Sequence, residues 1–434
     1  MLPNIPKGTR DFSSIEMSKR NYLIQTIRKQ FELFGFYPIE TPSIENLSTL
    51  VGKYGEEGDY LMFKLLHSGN FLKKISNKAL RYDLTVPFVR YVMMHKNEIV
   101  FPFKRSQIQP VWRADKPQKG RWREFYQCDA DVISLSWSLW EEIELIQLCD
   151  EIFTKLNFPI IIYINHRDIL GGLVEMAGIE YNLWKDFTTS LDKWNKIGRN
   201  LVKKEMLYKG ISSKSFDKVA FFFDMEENFY NKEKYLTVAL QDSEKGKKGI
   251  RDLSFIYKNI NNISLQKTRL EWNLSLARGM NYYTGTILEI VPFNNSISIG
   301  GGGRYDTLAN LFGMNNIYGV GISLGLDRIY LAMEQENLLQ TITSKVLFIN
   351  FGNEEVLYAY KIIKFLRKKG IYTQLYPNAD KIGKQFRYAN DNNIPFAISI
   401  GKNEINKNKI KMKNLKERTE KEYDNINDIV NQLT

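Results

Sequence analysis

The chain has 434 residues, 43% hydrophobic and 25% charged, which suits two or three domains with sizeable cores and excludes a disordered or fibrous chain. Its 61 Lys and Arg against 49 Asp and Glu leave a net charge of +12, which favours polyanionic partners. Two cysteines exclude a disulfide framework and a cysteine-rich zinc site, and three scattered histidines offer no metal centre, so no zinc is expected. The opening MLPNIPKGTRDF lacks the apolar core of a leader, and no apolar run approaches ~20 residues, so a cytoplasmic location is expected.

Residues 6–12 (PKGTRDF) are turn-rich and carry Lys7 and Arg10. The spacing of Tyr22, Ile24, Ile27, Phe31 and Phe34 predicts a helix over 18–34 that Gly35 ends. Residues 36–44 (FYPIETPSI) read as extended, with Pro38 and Pro42 fixing the backbone. Residues 45–80 read as irregular, with a lysine-rich hairpin around 68–78. A short strand is predicted over 79–85 (ALRYDLT) with Asp83 and Thr85 on one face, and Pro87 falls in the first turn of the next helix, through Met94.

Residues 104–131, KRSQIQPVWRADKPQKGRWREFYQCDAD, read as two strands joined by a charged loop. In the second, Trp122, Tyr126, Cys128, Ala130 and Val132 share one parity; Arg123, Gln127, Asp129 and Asp131 share the other. In the first, Gln107, Gln109 and Arg113 oppose Ile108 and Trp112, and Pro110 implies an edge position or a bulge. A solvated hairpin would alternate in the same way. Composition favours a site: Arg, Gln and Asp with aromatic neighbours suit holding both an anion and a cation. Lys116, Lys119 and Arg121 stand in the loop where a polyanion would be met.

A helix over 138–156 follows, with Leu139, Ile143, Ile146, Ile152 and Phe153 as its apolar stripe, then a buried-type strand over 160–165. Residues from 167 to about 265 read as an inserted helical module. Strand alternation returns over 270–276, with Leu270, Trp272, Leu274 and Leu276 on one side, leading into ARGMNYYTG (277–285) and a strand over 286–291. The run Gly300–Gly303 is either a turn or a surface against which a base would lie, followed by a short helix in RYDTLANLF. A strand over 318–324 and a helix from Gly325 to Met333 close this part. From Lys345 the pattern is β-α-β-α-β, which argues for a small α/β domain with a largely parallel sheet, and its tail is rich in lysine.

Arg113 and Arg278 end strands and Arg328 begins a helix, each beside glycine-rich or polar segments. Guanidinium groups suit a triphosphate, because they stay charged and donate as a bidentate fork. Neither a P-loop nor a GxGxxG fingerprint is present to explain phosphate binding. Tyr282 and Tyr283 read either as core aromatics or as a pocket wall between Gly279 and Gly285. Asp83, Gln127 and Asp131 suit the grip of an ammonium and a polar side chain.

Residues 35–45 (GFYPIETPSIE), the hairpin VWRADKPQKGRWREFYQCDAD and GVGISLGLDR resemble the three signature motifs of the class II aminoacyl-tRNA synthetases. ALRYDLTVPFVRY and LARGMNYYTGTILE resemble the histidine-specific family within that class, the histidyl-tRNA synthetases, and PKGTRDF and GGGRYDTLA fit as well. The similarity runs from about residue 5 through the C-terminal domain. It implies an α/β fold class: an α+β catalytic domain over 1–335, built on an antiparallel sheet with flanking helices and an inserted helical module (167–265), then an anticodon-binding domain over 343–434. The implied substrates are L-histidine, ATP with Mg²⁺, and tRNA(His), in a homodimer with the Pro42 segment at its interface. The resemblance further implies that Asp83, Thr85, Gln127 and Asp131 hold histidine, with Tyr282, Tyr283 and Tyr305 shaping the pocket. Arg113 and Arg278 would be catalytic, flanking the α-phosphate and the histidine carboxylate. Asp115, Arg121 and Arg328 would complete the ATP site, and Gln118 would reach the acceptor end of tRNA. Two residues depart from the family pattern: Asn281 where Asp is frequent, and Asp115 where the class has Glu. The alternative from another class is the synthetase-like regulatory subunit of ATP phosphoribosyltransferase, whose members lack the anticodon-binding domain and commonly lose the arginines kept here.

Overall fold

The computed structural model describes residues 3–66, 75–277, 282–295, 297–313, 316–339 and 345–433. Two compact units emerge, Met1–Asp11 with Arg20–Leu339, and Phe12–Lys19 with Gln340–Thr434.

The first helix, Ser14–Leu33, starts four residues before the predicted position because Ser13 caps it. The Ser13 N–H and hydroxyl both donate to Glu16 Oε2 at 2.7 Å, which satisfies groups that a helix start leaves open. Gly35, at φ +75, ends it as expected. Leu23, Ile27 and Phe31, spaced by four, are its fully buried stripe; Tyr22, Ile24 and Phe34 only flank it.

The large unit is built on an eight-stranded sheet. In chain order its strands are β1 (Tyr37–Pro38), β2 (Phe103–Trp112), β3 (Glu124–Ser134), β4 (Ile160–His166), β5 (Thr268–Trp272), β6 (Thr286–Pro292), β7 (Gly300–Arg304) and β8 (Tyr318–Gly325). Their spatial order is β1-β2-β3-β8-β7-β6-β4-β5, antiparallel except for the parallel pairs β1–β2 and β4–β5 at the two edges. β2 pairs with β3 in continuous register from Phe103↔Ile133 to Trp112↔Glu124, while β1 covers only Arg105 and Ser106 on its other side. Pro110 therefore sits on an open edge, with no bulge. The glycine run is not a turn: Gly300–Arg304 is a strand between β6 and β8.

Register sorts the sheet into two faces. Cys128, Ala130 and Val132 stand opposite Leu324, Ile322 and Val320, and all six belong to the main apolar core. The helix Trp140–Lys155 closes over that core through Ile143, Ile146, Ile152 and Phe153. Each such fully buried side chain contributes on the order of 2–3 kcal/mol of transfer energy. The other face carries the polar residues of β2 and β3.

Between the adjacent, parallel β4 and β5 run six α-helices, Arg167–Ala177, Trp184–Leu191, Trp194–Tyr208, Ser213–Phe223, Phe229–Ala239 and Glu244–Ile263. Phe187, Trp194, Phe216 and Ile256 from this module join Ile162 and Leu288 of the sheet in one continuous core. β5 ends at Trp272, four residues early. Leu274 and Leu276 lie in the following loop, where Asn165 Nδ2 donates to both of their carbonyls at 3.1 and 2.8 Å.

Residues 45–80 are more ordered than predicted. Two short helices, Leu47–Leu50 and Gly55–Tyr60, accompany a three-stranded sheet of Ile44–Asn46, Ile75–Leu80 and Lys64–Leu66. Residues 67–74, in the lysine-rich stretch, lie outside the described residues. The strand expected over 79–85 stops at Leu80, and Thr85 opens the helix Thr85–Met94. A helix start satisfies the peptide groups there: the Val86 N–H donates to Asp83 Oδ1 at 3.1 Å.

In the small unit, Val346–Phe348 runs parallel to Thr373–Leu375 and Phe396–Ser399, as predicted. The lysine-rich tail adds an antiparallel hairpin, Ile410–Asn414 with Thr419–Tyr423, whose charges pair across the strands, as in Lys411 with Glu420 at 3.0 Å. Val346 and Phe348 face the helices Asn353–Lys368 and Ile426–Leu433, while Leu347 and Ile349 face the Ile382–Asp391 helix, so both faces of the sheet are covered. Among the described residues no helix is long and apolar enough to cross a membrane.

Candidate active site

The polar face of β2, β3 and β8 is a row of cross-strand pairs. Arg105 stands opposite Asp131, Gln107 opposite Asp129 and Gln109 opposite Gln127; on the far side Gly321, Ser323 and Gly325 face Asp131, Asp129 and Gln127. Gly321 is required to be small, since a Cβ there would stand 2.0 Å from Asp131 Oδ1. The Asp131 carboxylate is thereby laid over the strand, where the Tyr305 hydroxyl donates to it at 2.6 Å and Arg105 Nη2 lies 2.9 Å away. Arg105 is fully buried and also approaches Asp129 at 3.7 Å.

A second group joins this floor from distant segments. Asp83 accepts a hydrogen bond from the Tyr54 hydroxyl at 2.9 Å and a longer one from Tyr282 at 3.5 Å. Tyr282 lies between Tyr283 and Tyr305, with ring centroids 4.9 and 6.1 Å away, so the three tyrosines form one wall. Arg113, just past β2, donates through Nε to Tyr82 O at 3.1 Å, and its guanidinium lies over the Tyr82 and Phe125 rings at 4.3 and 5.2 Å. Asp83, Thr85, Arg113, Gln127, Asp131, Tyr282, Tyr283 and Tyr305 thus lie in the large unit, and Asp83, Asp131, Tyr282 and Tyr305 are linked by contact.

Burial dominates the electrostatics here. It pushes the Asp129 carboxyl up to about 7, against Arg105, with Asp131 adding to the rise. Burial raises Asp131 and Asp83 in the same direction. The hydroxyls of Tyr54, Tyr282 and Tyr305 are held well above their ordinary range by burial and, at Tyr54 and Tyr305, by the adjoining carboxylate, so they act as neutral donors.

Buried polar atoms ordinarily find partners. On this face Gln107 Oε1, Gln127 Oε1, both Asp129 oxygens and Asp131 Oδ2 make no aligned hydrogen bond, and neither do Nε and Nη1 of Arg105. Asp131 Oδ2 is close to Arg105 but poorly aligned with it, so that contact is an ion pair only. The Gln127 amide nitrogen is used, donating to Ser323 Oγ at 2.6 Å. Five open acceptors against two open donors suit a ligand that brings N–H groups and positive charge.

The loop after β2 turns at Gly120, φ +77, with Gln118 and Arg121 bridged by paired backbone hydrogen bonds of 3.1 and 2.8 Å. Gln118 and Arg121 are exposed and Asp115 is half-buried. Arg328, in the helix Leu326–Gln335, donates to Gly120 O at 3.1 Å and Ser298 O at 2.7 Å, which ties that helix to the loop. Arg278 and Asn281 lie outside the described residues. The stems on either side are held from the start of the Arg167–Ala177 helix: Arg167 Nη1 donates to Ala277 O at 3.2 Å, and its N–H donates to Gly285 O at 2.9 Å.

Arg105, Asp129, Gln107 and Tyr54 join the site beside the residues that the sequence marks. The first three share the strand parity of Gln127 and Asp131 and were findable by extending that alternation. Tyr54 had no signal, because its partner Asp83 is distant in sequence and the segment reads as irregular.

An antiparallel sheet whose polar face carries carboxylates and amides, with an arginine loop beside it, is the ground plan of the class II aminoacyl-tRNA synthetases. The family profile described as histidyl-tRNA synthetase matches residues 8–329, and that described as anticodon binding domain matches residues 345–434. Histidine--tRNA ligases from Christiangramia forsetii and Flavobacterium johnsoniae are 53% and 52% identical, each match covering 95% of both chains. The crystal structure of histidyl-tRNA synthetase from Nostoc sp. PCC 7120 superposes with a TM-score of 0.88 at 30% identity, over 100% of both chains. A Bacillus halodurans structure, described as an ATP phosphoribosyltransferase regulatory subunit/histidyl-tRNA synthetase, reaches 0.75 over 92% of this chain and 98% of its own, at 18% identity, a likeness of fold alone. The chain belongs to the histidyl-tRNA synthetase family.

Proposed function

We propose that this chain ligates L-histidine to tRNA(His) with ATP, through a histidyl-adenylate and transfer to the terminal ribose of the tRNA. The observation that carries the substrate assignment is the buried floor of open acceptors between Gln127 and Asp131. It suits an ammonium and an imidazole N–H and is a poor host for an apolar side chain. In this reading Asp83, Thr85, Gln127 and Asp131 take the amino and imidazole groups, and Tyr282, Tyr283 and Tyr305 enclose the ring.

In the first step a histidine carboxylate oxygen bonds to the α-phosphorus of ATP, the bond to the bridging oxygen breaks, and pyrophosphate leaves. Two anions must approach, so positioned guanidiniums supply the stabilisation. Arg113 and Arg278 are assigned to the α-phosphate and carboxylate, Arg121 and Arg328 to the outer phosphates, Asp115 to the adenine side and Gln118 to the tRNA acceptor end. Among the described residues no group of three His, Cys, Asp or Glu is placed to hold a metal. Mg²⁺ is assigned to the triphosphate as part of the substrate. A homodimer is proposed through the β1 edge near Pro42, where Tyr37 and Ile44 expose apolar side chains. The two free, buried cysteines accord with a cytoplasmic location.

ATP–pyrophosphate exchange with each of the twenty amino acids tests this reading, with exchange expected for histidine alone. Exchange with no amino acid, together with binding to an ATP phosphoribosyltransferase catalytic chain, would favour the regulatory-subunit alternative instead. Residues 1–335 are assigned to catalysis and 343–434 to the anticodon. A chain ending at residue 342 is therefore expected to keep histidine activation while aminoacylation falls by ~100-fold or more, the scale of several lost contacts. Equal loss of both activities in a folded truncation would contradict that division.

A further inference from the structure

Residues 3–11 add nothing to the apolar core, whose buried members begin at Leu23. They touch the loop between β2 and β3, and the start of the Leu326–Gln335 helix. A turn closes where the Thr9 N–H and hydroxyl both donate to Pro6 O, at 3.1 and 2.7 Å. At its crest Gly8 has φ +91, and a Cβ there would stand 2.8 Å from Pro117 Cγ and 2.9 Å from Arg123 Cγ. Only glycine lets the backbone come so near. Gly8 O accepts from the Arg123 N–H at 2.8 Å, and Arg123 donates onward through Nε to Asp115 O at 3.3 Å. Two residues on, the Arg10 guanidinium lies over the Trp122 ring at 3.4 Å and pairs with Asp327. Asp327 is buried, takes Arg20 at 2.5 Å as well, and accepts the Tyr126 N–H at 2.9 Å. The next residue is Arg328, which holds Gly120 at the tip of the same loop.

We propose that the turn at residues 7–10 is a brace for the ATP site, and that Arg10 is a positioning residue for Arg121 and Arg328. The brace ties the loop that presents Arg121 to the helix that presents Arg328 before ATP arrives, so the cost of ordering them is already met at binding. The proposal rests on the reading of those two arginines as phosphate ligands. Arg10 is the informative member because its loss leaves the Arg20–Asp327 pair in place. Asp327 then keeps a buried partner, and the fold is not left with an uncompensated charge.

The experiment compares Arg10→Gln, Arg10→Lys and Gly8→Ala with the wild-type chain by three readouts: thermal melting, ATP–pyrophosphate exchange, and tryptic cleavage of the loop after Lys119 and Arg121. Arg10→Gln is expected to raise KM for ATP about tenfold, the scale of one lost charge-assisted contact, with KM for histidine within about twofold. Loop cleavage should quicken several-fold and slow again when ATP is added. Arg10→Lys keeps the ion pair but loses the flat stack on Trp122, so it should recover part of both effects. Gly8→Ala should reproduce the pattern by displacing Pro117 and Arg123. A lowered melting temperature with unchanged loop cleavage, or an equal rise in both KM values, would reduce the turn to a structural feature and overturn the proposal. Arg121→Ala separates the two readings: if it leaves KM for ATP unchanged, the phosphate assignment fails, while the loop cleavage rates still decide whether the brace exists.

Discussion

Replacing Arg113 with alanine is expected to lower kcat for histidyl-adenylate formation by ~100-fold or more, about 2.7 kcal/mol of transition-state stabilisation. The guanidinium is pre-aimed: its Nε is bonded to Tyr82 O, and its plane is held over the Tyr82 and Phe125 rings. Among the described residues its two Nη groups are not used in hydrogen bonds, which leaves the fork open for an oxyanion. Charge on the α-phosphate grows as pyrophosphate leaves, so most of the contribution belongs to the transition state, and KM for ATP should move much less than kcat. Arg113→Lys preserves charge but gives up the planar fork, and is expected to recover only a minor part of the rate. Rapid-quench measurement of adenylate at saturating ATP and histidine decides the matter. A near-normal rate in Arg113→Ala would make this residue a packing element between two aromatic rings.

The second large effect concerns histidine itself. Asp131→Asn is expected to raise KM for histidine by ~100-fold, because an amide cannot neutralise a buried cation. The same floor predicts a pH dependence. The Asp129 carboxyl lies at about 7 in the fold, raised by burial against Arg105, whereas an unfolded chain places it near ~3.9. Between those values the native state holds a proton that the unfolded state has lost, so stability without ligand falls as pH rises from ~4 through 7. A cationic ligand favours the ionised carboxylates, so its binding releases protons. Histidine affinity should therefore strengthen as pH rises towards 7, by up to ~10-fold per unit for one proton released, and level off above it. Histidine's own imidazole titrates near ~6.5 and contributes to the profile, so the comparison of interest is with Asp129→Asn, which should flatten the protein's share. Calorimetry in two buffers of different ionisation enthalpy measures the proton count directly. Identical counts in wild type and Asp129→Asn would remove Asp129 from the binding equilibrium.

What depends on neighbours along the chain was legible in the residues alone. Two-residue alternation separated Gln127, Asp129 and Asp131 from Cys128, Ala130 and Val132, since successive side chains of any strand take opposite faces. Spacing found the Trp140–Lys155 helix and the parallel strands of the C-terminal unit, and Pro110 left an edge or a bulge, of which the structure has the edge. The motifs named the family. Tertiary structure alone decided which polar groups were satisfied. Gln109 and Gln107 have equal claims in sequence, yet Gln109 Oε1 is taken up by Arg81, Gln107 and the Thr41 N–H, while Gln107 Oε1 stays open. It also turned Asp83 into a helix-start acceptor bonded to Tyr54, and closed the glycine run into a strand whose neighbour Gly321 makes room for Asp131. These outcomes rest on partners brought together from far along the chain. Hydrogen-bond balance in a buried site is a property of every segment that meets there, so it cannot be read from any one of them.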